Sequence, residues 1–118
     1  MTREIVDQIC ATLPGAEKSD PWGGGHDAWK IGGKMFACIG SVSPGTSVKT
    51  PDIETASMLI EAGVGTKAPY FHRSWVHLSL EGANEDELRH RLTVAYSIVR
   101  SGLTKKLQAT LPPFEQTT

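Results

Sequence analysis

The sequence predicts an α+β two-layer sandwich, an antiparallel sheet with helices packed on one face. Three observations predict it. Apolar residues recur at helical spacing near the start, middle and end of the chain. Between them lie short runs that alternate in polarity, as half-buried strands do. The connectors are short and rich in Gly and Pro, which suits antiparallel strands joined by tight turns.

The elements follow in order. Residues 3–13 form a helix, with Ile5, Val6, Ile9, Cys10 and Leu13 as its apolar stripe and Thr2 as a candidate N-cap. Pro14-Gly15 ends it. Glu17 to Asp20 reads as a short edge strand, and Pro21-Trp22-Gly23-Gly24-Gly25 as a loop, because consecutive glycines lose the most backbone entropy in any regular element. Ala28 to Ile31, Gly32-Gly33 and Lys34 to Ile39 read as a hairpin with a two-residue turn. Thr46 to Thr50 is a further strand, after the turn Pro44-Gly45. Pro51 to Ala62 is a second helix, capped by Thr50, with Ile53, Ala56, Leu59 and Ile60 buried and Gly63 ending it. Residues 64–73 read as irregular. Ser74 to Glu81 alternates cleanly and reads as a strand. Asn84 caps the last helix, whose stripe is Leu88, Leu92, Ala95, Tyr96, Val99 and Leu103. The expected organisation is one domain over residues 1–108 and a flexible tail over 109–118, where Pro112-Pro113 interrupts regular structure.

Length and composition limit the function classes. The 118 residues carry a formal net charge of −1 and are 39% hydrophobic, which suits a single globular domain. Neither a membrane-spanning run nor a secretory leader is legible, and the near-neutral total supplies no bulk attraction to nucleic acid. Cys10 and Cys38 form no CxxC pair. They read as buried small hydrophobes, with a disulfide or reactive thiol as the alternative, and reduced thiols suit a cytoplasmic protein.

Strand alternation sorts the side chains into two sets. Met35, Ala37, Ile39, Val48, Val76, Leu78 and Leu80 fall on one face, which must be the core. Lys30, Lys34, Phe36, Lys49, Trp75, His77 and Cys38 fall on the other. Three lysines without partners do not belong in a core, so the second face should be wet. Its aromatics serve either as packing against lysine stems and the loop Pro69 to Arg73, or as a platform that stacks bases while cations meet phosphates. The run Leu88 to Gln108 adds Arg89, Arg91, Arg100, Lys105 and Lys106 without an acid. That is either a solvated helix face or a basic region hidden by the neutral total.

Catalytic and metal patterns are not evident. His26, His72, His77 and His90 have no zinc-like spacing. Ser74 or Ser79 with His77 is not supported as a nucleophile pair, since strand alternation puts Ser74 and His77 on opposite faces and no orienting group is evident. Gly23-Gly24-Gly25-His26 and Gly32-Gly33-Lys34 do not match a phosphate loop. Trp22 and Trp29 read as core or loop anchors, and Glu85-Asp86-Glu87 as an acidic helix start. No catalytic residue, metal or cofactor is therefore expected.

Leu13-Pro14-Gly15-Ala16-Glu17, Trp29-Lys30-Ile31-Gly32-Gly33-Lys34-Met35-Phe36-Ala37, Val48-Lys49, Pro69-Tyr70 and Arg73-Ser74-Trp75 occur in an order that resembles the MmcQ/YjbR-like family of small bacterial proteins. The resemblance runs from about residue 3 to residue 106. It implies a CyaY/frataxin-like fold and DNA binding through a "double wing" of hairpins, with no reaction assigned to the family as a whole. Carried over by motif, the positions of interest are Lys34, Phe36, Lys49, Arg73 and Trp75. The family's loop before the tryptophan is often longer and carries Asn and Lys, whereas here it is Phe71-His72-Arg73-Ser74. The expected function is a non-enzymatic module binding DNA or another polyanion through Lys30, Lys34, Phe36, Lys49, Arg73, Trp75 and His77. The alternative is a domain that docks a protein or a small anion on the same face.

Overall fold

The computed structural model describes residues 3–20, 23–40, 45–69, 71–81 and 84–114. The expected roles of Thr2, Pro21, Trp22, Pro44 and Tyr70 lie outside the described residues. The elements are α1 (Arg3–Ala11), β1 (Glu17–Ser19), β2 (Asp27–Ile31), β3 (Lys34–Ile39), β4 (Gly45–Lys49), α2 (Ile53–Glu61), β5 (Thr66–Lys67), β6 (Trp75–Ser79), α3 (Glu85–Ser101) and α4 (Lys105–Gln108). The six strands form one antiparallel sheet in the order β1-β2-β3-β4-β6-β5. The α+β architecture is as the sequence predicts. The pair β5 and the short α4 were not anticipated; two and four residues are too few to show a period.

One face of the sheet is sealed. Val6, Ile9 and Cys10 of α1, Ala56 and Leu59 of α2, and Leu88, Leu92, Ala95 and Tyr96 of α3 close over Trp29, Ile31, Ala37, Ile39, Val48, Val76 and Leu78. Trp29 is the core anchor expected of it, and its indole N–H donates to Asp7 Oδ1 at 2.8 Å, tying α1 to β2. Arg3 reinforces the same corner through an ion pair to Asp27 at 3.1 Å. After α4 the chain returns over α3. Leu111 and Phe114 pack on the core, and Phe114 meets Tyr96 edge-on at 4.8 Å. The Arg100 guanidinium donates to Tyr96 Oη at 2.8 Å and to the Pro112 carbonyl at 2.6 Å, so it holds that returning segment.

A bulge in β3 overturns part of the expected side-chain sorting. Trp29 pairs with Ala37, but Lys30 pairs with Met35, leaving Phe36 as the extra residue. Parity reverses once at that point. From Ala37 onward the faces are as expected. Before it, Met35 leaves the core face to stand beside Lys30, half-buried. Phe36 turns into the core, fully buried, with its ring edge-on to Tyr96 at 5.6 Å. Lys34 pairs with Ile31 and so stands on the core side, exposed only because it lies at the sheet's rim.

Two local expectations for α2 also change. Its N-cap is Asp52, whose carboxylate accepts from the Thr55 N–H at 2.7 Å. Thr50 is instead buried, donating through its hydroxyl to the Ser74 carbonyl at 2.6 Å. Ala56 and Leu59 are buried as expected, whereas Ile53 and Ile60 are exposed, because only one narrow side of α2 meets β5 and β6. For α3, Asn84 is the cap as predicted, accepting from the Glu87 N–H at 3.1 Å.

The β2–β3 turn has positive φ at both central residues, +58° at Gly32 and +81° at Gly33, the geometry that a two-residue hairpin requires. A Cβ on Gly32 would lie 2.5 Å from Leu103 Cδ1, whereas Gly33 faces open space. Gly32→Ala should therefore destabilise more than Gly33→Ala, by more than about 1 kcal/mol for the former. Phe36→Ala should cost ~3–5 kcal/mol and Met35→Ala distinctly less. Urea unfolding of the four variants measures both orders, and a larger loss for Met35→Ala would contradict the bulge.

Candidate functional site

Strand directions decide where the expected site residues gather. β2 ends, β3 begins, β4 ends and β6 begins at the same end of the sheet. Lys30, Lys34, Lys49, Arg73 and Trp75 therefore share that end, although they come from three separate stretches of chain. Lys30 and Lys49 stand on the outer face, the one not covered by α1 and α3, with Trp75 as the cross-strand partner of Lys49. Lys34 stands at the rim. Arg73 is exposed on the turn leading into β6. Phe36 does not belong to this group, because the bulge places it in the core on the opposite face.

Electrostatic pairing separates these cations from four of the arginines and lysines elsewhere. Arg3, Lys18, Arg89 and Arg91 each have a carboxylate partner, at 3.1, 3.7, 3.6 and 2.9 Å respectively. In the acid-free stretch of sequence, Arg89 and Arg91 are thus neutralised by Glu85 and Glu87 one turn earlier. Among the described residues, Lys30, Lys34, Lys49 and Arg73 have no acid within ion-pair distance. Lys67 on β5 and Lys105 and Lys106 on α4 are likewise exposed without an acid, and α4 packs on the β2–β3 turn through Leu107 against Gly32.

Trp75 packs rather than projects. It is 9% exposed, and the Phe71 ring stacks on it at 4.5 Å between centroids and 23° between planes. The support by the loop before β6 that sequence allowed for is thus present. Phe71 is the residue that sequence reasoning missed. The only available signal was an aromatic four residues before Trp75, across a turn closed by the Trp75 N–H to the His72 carbonyl at 2.9 Å.

Behind this pair lies a polar cluster. Lys49 Nζ donates to Ser74 Oγ, and Ser74 Oγ lies 2.8 Å from His72 Nδ1, which also accepts from the Ser74 N–H at 3.1 Å. A hydroxyl between an ammonium and an imidazole has the polarity of an activated nucleophile. Ser74, however, is 2% exposed, and its carbonyl accepts from both Thr50 N–H and Thr50 Oγ–H. The cluster fastens the end of β4 to the start of β6. A shallow depression of ≈ 520 Å³ beside it is lined by Lys49, Pro51, Asp52, Ile53, Glu54, His72 and Ser74. Asp52 and Glu54 oppose an anion there, and the Thr55 N–H holds Asp52 below the ordinary carboxylate range.

The middle of the outer face is closed. Ala28, Cys38, Ser47 and His77 form one cross-strand row, in which Ala28, Cys38 and Ser47 are 0%, 5% and 6% exposed. The expectation of a wet face therefore holds only at the cationic end. Burial raises the Cys38 thiol above its ordinary value, as it does for Cys10, and both cysteines are free. His77 Nδ1 lies 3.2 Å from Ser47 Oγ, and burial pushes the His77 imidazole below its ordinary pKa. It is thus neutral at pH 7 and supplies no positive charge to a ligand there.

The YjbR family model matches residues 11–98. This chain belongs to the YjbR family. That span runs from the end of α1 through most of α3, so it contains the whole sheet and the cationic end. The YjbR domain is also similar in fold to the crystal structure of Deinococcus radiodurans protein DR2400, described with the family-model domain DUF419. The TM-score is 0.80 at 21% identity, over 92% of this chain and 86% of that one. No curated protein matches the chain. Among the described residues, no helix is long and apolar enough to cross a membrane, and no group of three or more His, Cys, Asp or Glu could hold a metal ion.

Because the His77 pKa is depressed in the folded state, the unfolded chain takes up that proton first as pH falls. The His77 contribution to stability is complete above about pH 6.5 and is lost as pH falls below it toward the folded pKa. Thermal unfolding from neutral to mildly acidic pH should show this decline, and His77→Gln should flatten it.

Proposed function

We propose that this YjbR domain is a non-enzymatic module that binds nucleic acid, DNA first among candidates, through the cationic end of its sheet. One observation carries the reading. Arg3, Lys18, Arg89 and Arg91 are paired with acids and Arg100 is tied to a carbonyl, while Lys30, Lys34, Lys49 and Arg73 converge at one end without acidic partners. Unpaired cations on neighbouring strands suit a row of phosphates, whose neutralisation releases condensed counterions. Lys105 and Lys106 on α4 extend the surface past the hairpin turn. The net charge of −1 does not oppose this, since a local cluster, not the total, sets the field that a ligand meets. Two free, buried cysteines suit action in a reducing compartment such as the cytoplasm.

Fluorescence anisotropy with labelled DNA, between about 50 and about 200 mM salt, tests the reading. Binding should weaken steeply, with a log–log slope set by the number of phosphates engaged. Lys34→Ala and Arg73→Ala should each lower that slope by about 1, while Arg89→Ala should leave it unchanged. Absence of binding at low salt overturns the reading. Saturable binding of a protein or small anion with little salt dependence would favour docking instead.

A further inference from the structure

Trp75 is the largest aromatic ring at the cationic end, yet it is too enclosed to offer a face to a ligand. Phe71 covers it. One face of the Phe71 ring lies on the indole, and no second ring lies against the other face among the described residues. Phe71 is only half-buried. Its orientation is therefore set before any ligand arrives, by stacking on a buried partner, and ordering it again costs a ligand little. Lys49 is the cross-strand partner of Trp75, and the exposed Arg73 lies two residues beyond Phe71 in the chain, so both cations belong to the same end of the sheet as this ring.

We infer that Phe71 is a stacking platform for an unpaired base and that the surface selects single-stranded over duplex nucleic acid. The inference rests on the proposed binding of nucleic acid at this end of the sheet. A base inside a duplex has both faces occupied by its neighbours, so only an unpaired base can lie on Phe71 while flanking phosphates meet Lys49 and Arg73. A duplex offers this surface phosphates alone. Its higher charge density would make it the better ligand if charge were the whole interaction.

The test is anisotropy of a labelled thymidine oligonucleotide of about a dozen nucleotides, enough to cross one small domain, against the same strand annealed to its complement. It uses the full chain at low salt, as wild type, Phe71→Leu and Phe71→Tyr. The wild type should bind the single strand more tightly. Phe71→Leu keeps an apolar cover over Trp75 but removes the π face. It should weaken single-strand binding by roughly tenfold or more, with little change for the duplex, and Phe71→Tyr should restore the preference. A thermal melt and near-ultraviolet circular dichroism establish that each variant is folded. Equal binding of both forms, a duplex preference, or equal weakening of both by Phe71→Leu overturns the platform while leaving the backbone-binding reading intact. Binding of neither form overturns both.

Discussion

The molecule depends on sealing one face of a six-stranded sheet under α1 and α3, and on the Phe36–Tyr96 contact at the centre of that seal. Tyr96 is fully buried with its hydroxyl directed to the Pro14 carbonyl, and Phe36 meets it edge-on. To bring Phe36 there without turning Ala37 and Ile39 outward, β3 carries one extra residue opposite Trp29. The bulge lets two consecutive apolar residues face the core. It also sends Met35 outward beside Lys30 and moves Lys34 to the rim. The chemistry of the cationic end is thus set partly by a packing requirement on the far side of the sheet.

Pairing rather than composition distinguishes that end. A salt bridge on a helix surface contributes little to stability, but it removes a cation from the set that attracts a ligand. Arg89 and Arg91 are removed this way by acids one turn before them. Arg100 is engaged by Tyr96 and Pro112. The Lys49 side chain is positioned by Ser74 Oγ, and among the described residues no acid lies within ion-pair distance of Lys30, Lys34, Lys49 or Arg73. The Phe71–Trp75 stack packs the turn before β6 onto the same end of the sheet.

Much of this was legible in sequence because it depends on local rules. Gly32-Gly33 specifies its turn, Asn84 caps α3, and the alternation from Val76 to Leu78 sorts β6. What escaped needed long-range information. A bulge leaves the amino-acid pattern of β3 unchanged and shows only in its register with β2, so Phe36 could not be placed by counting. Thr50 and Asp52 are both good capping residues; Ser74, brought alongside from 24 residues away, decides between them by accepting the Thr50 hydroxyl. The apolar spacing of α2 suggests a wider buried stripe than β5 and β6 can cover, which leaves Ile53 and Ile60 exposed. Lys49 and Trp75 were placed correctly on the outer face because no irregularity intervenes in β4 or β6, and Lys30 because the extra residue of the bulge lies in β3, leaving the alternation of β2 intact.

The account is tested most directly by mapping backbone amide chemical shifts of the labelled protein during titration with a nucleic-acid oligomer. It predicts that the perturbed amides cluster at Lys30 to Lys34, Lys49 and Phe71 to Trp75, with the exposed side of α3 around Arg89 and Arg91 unchanged. Perturbations centred on α3, or scattered without regard to that end of the sheet, would contradict it.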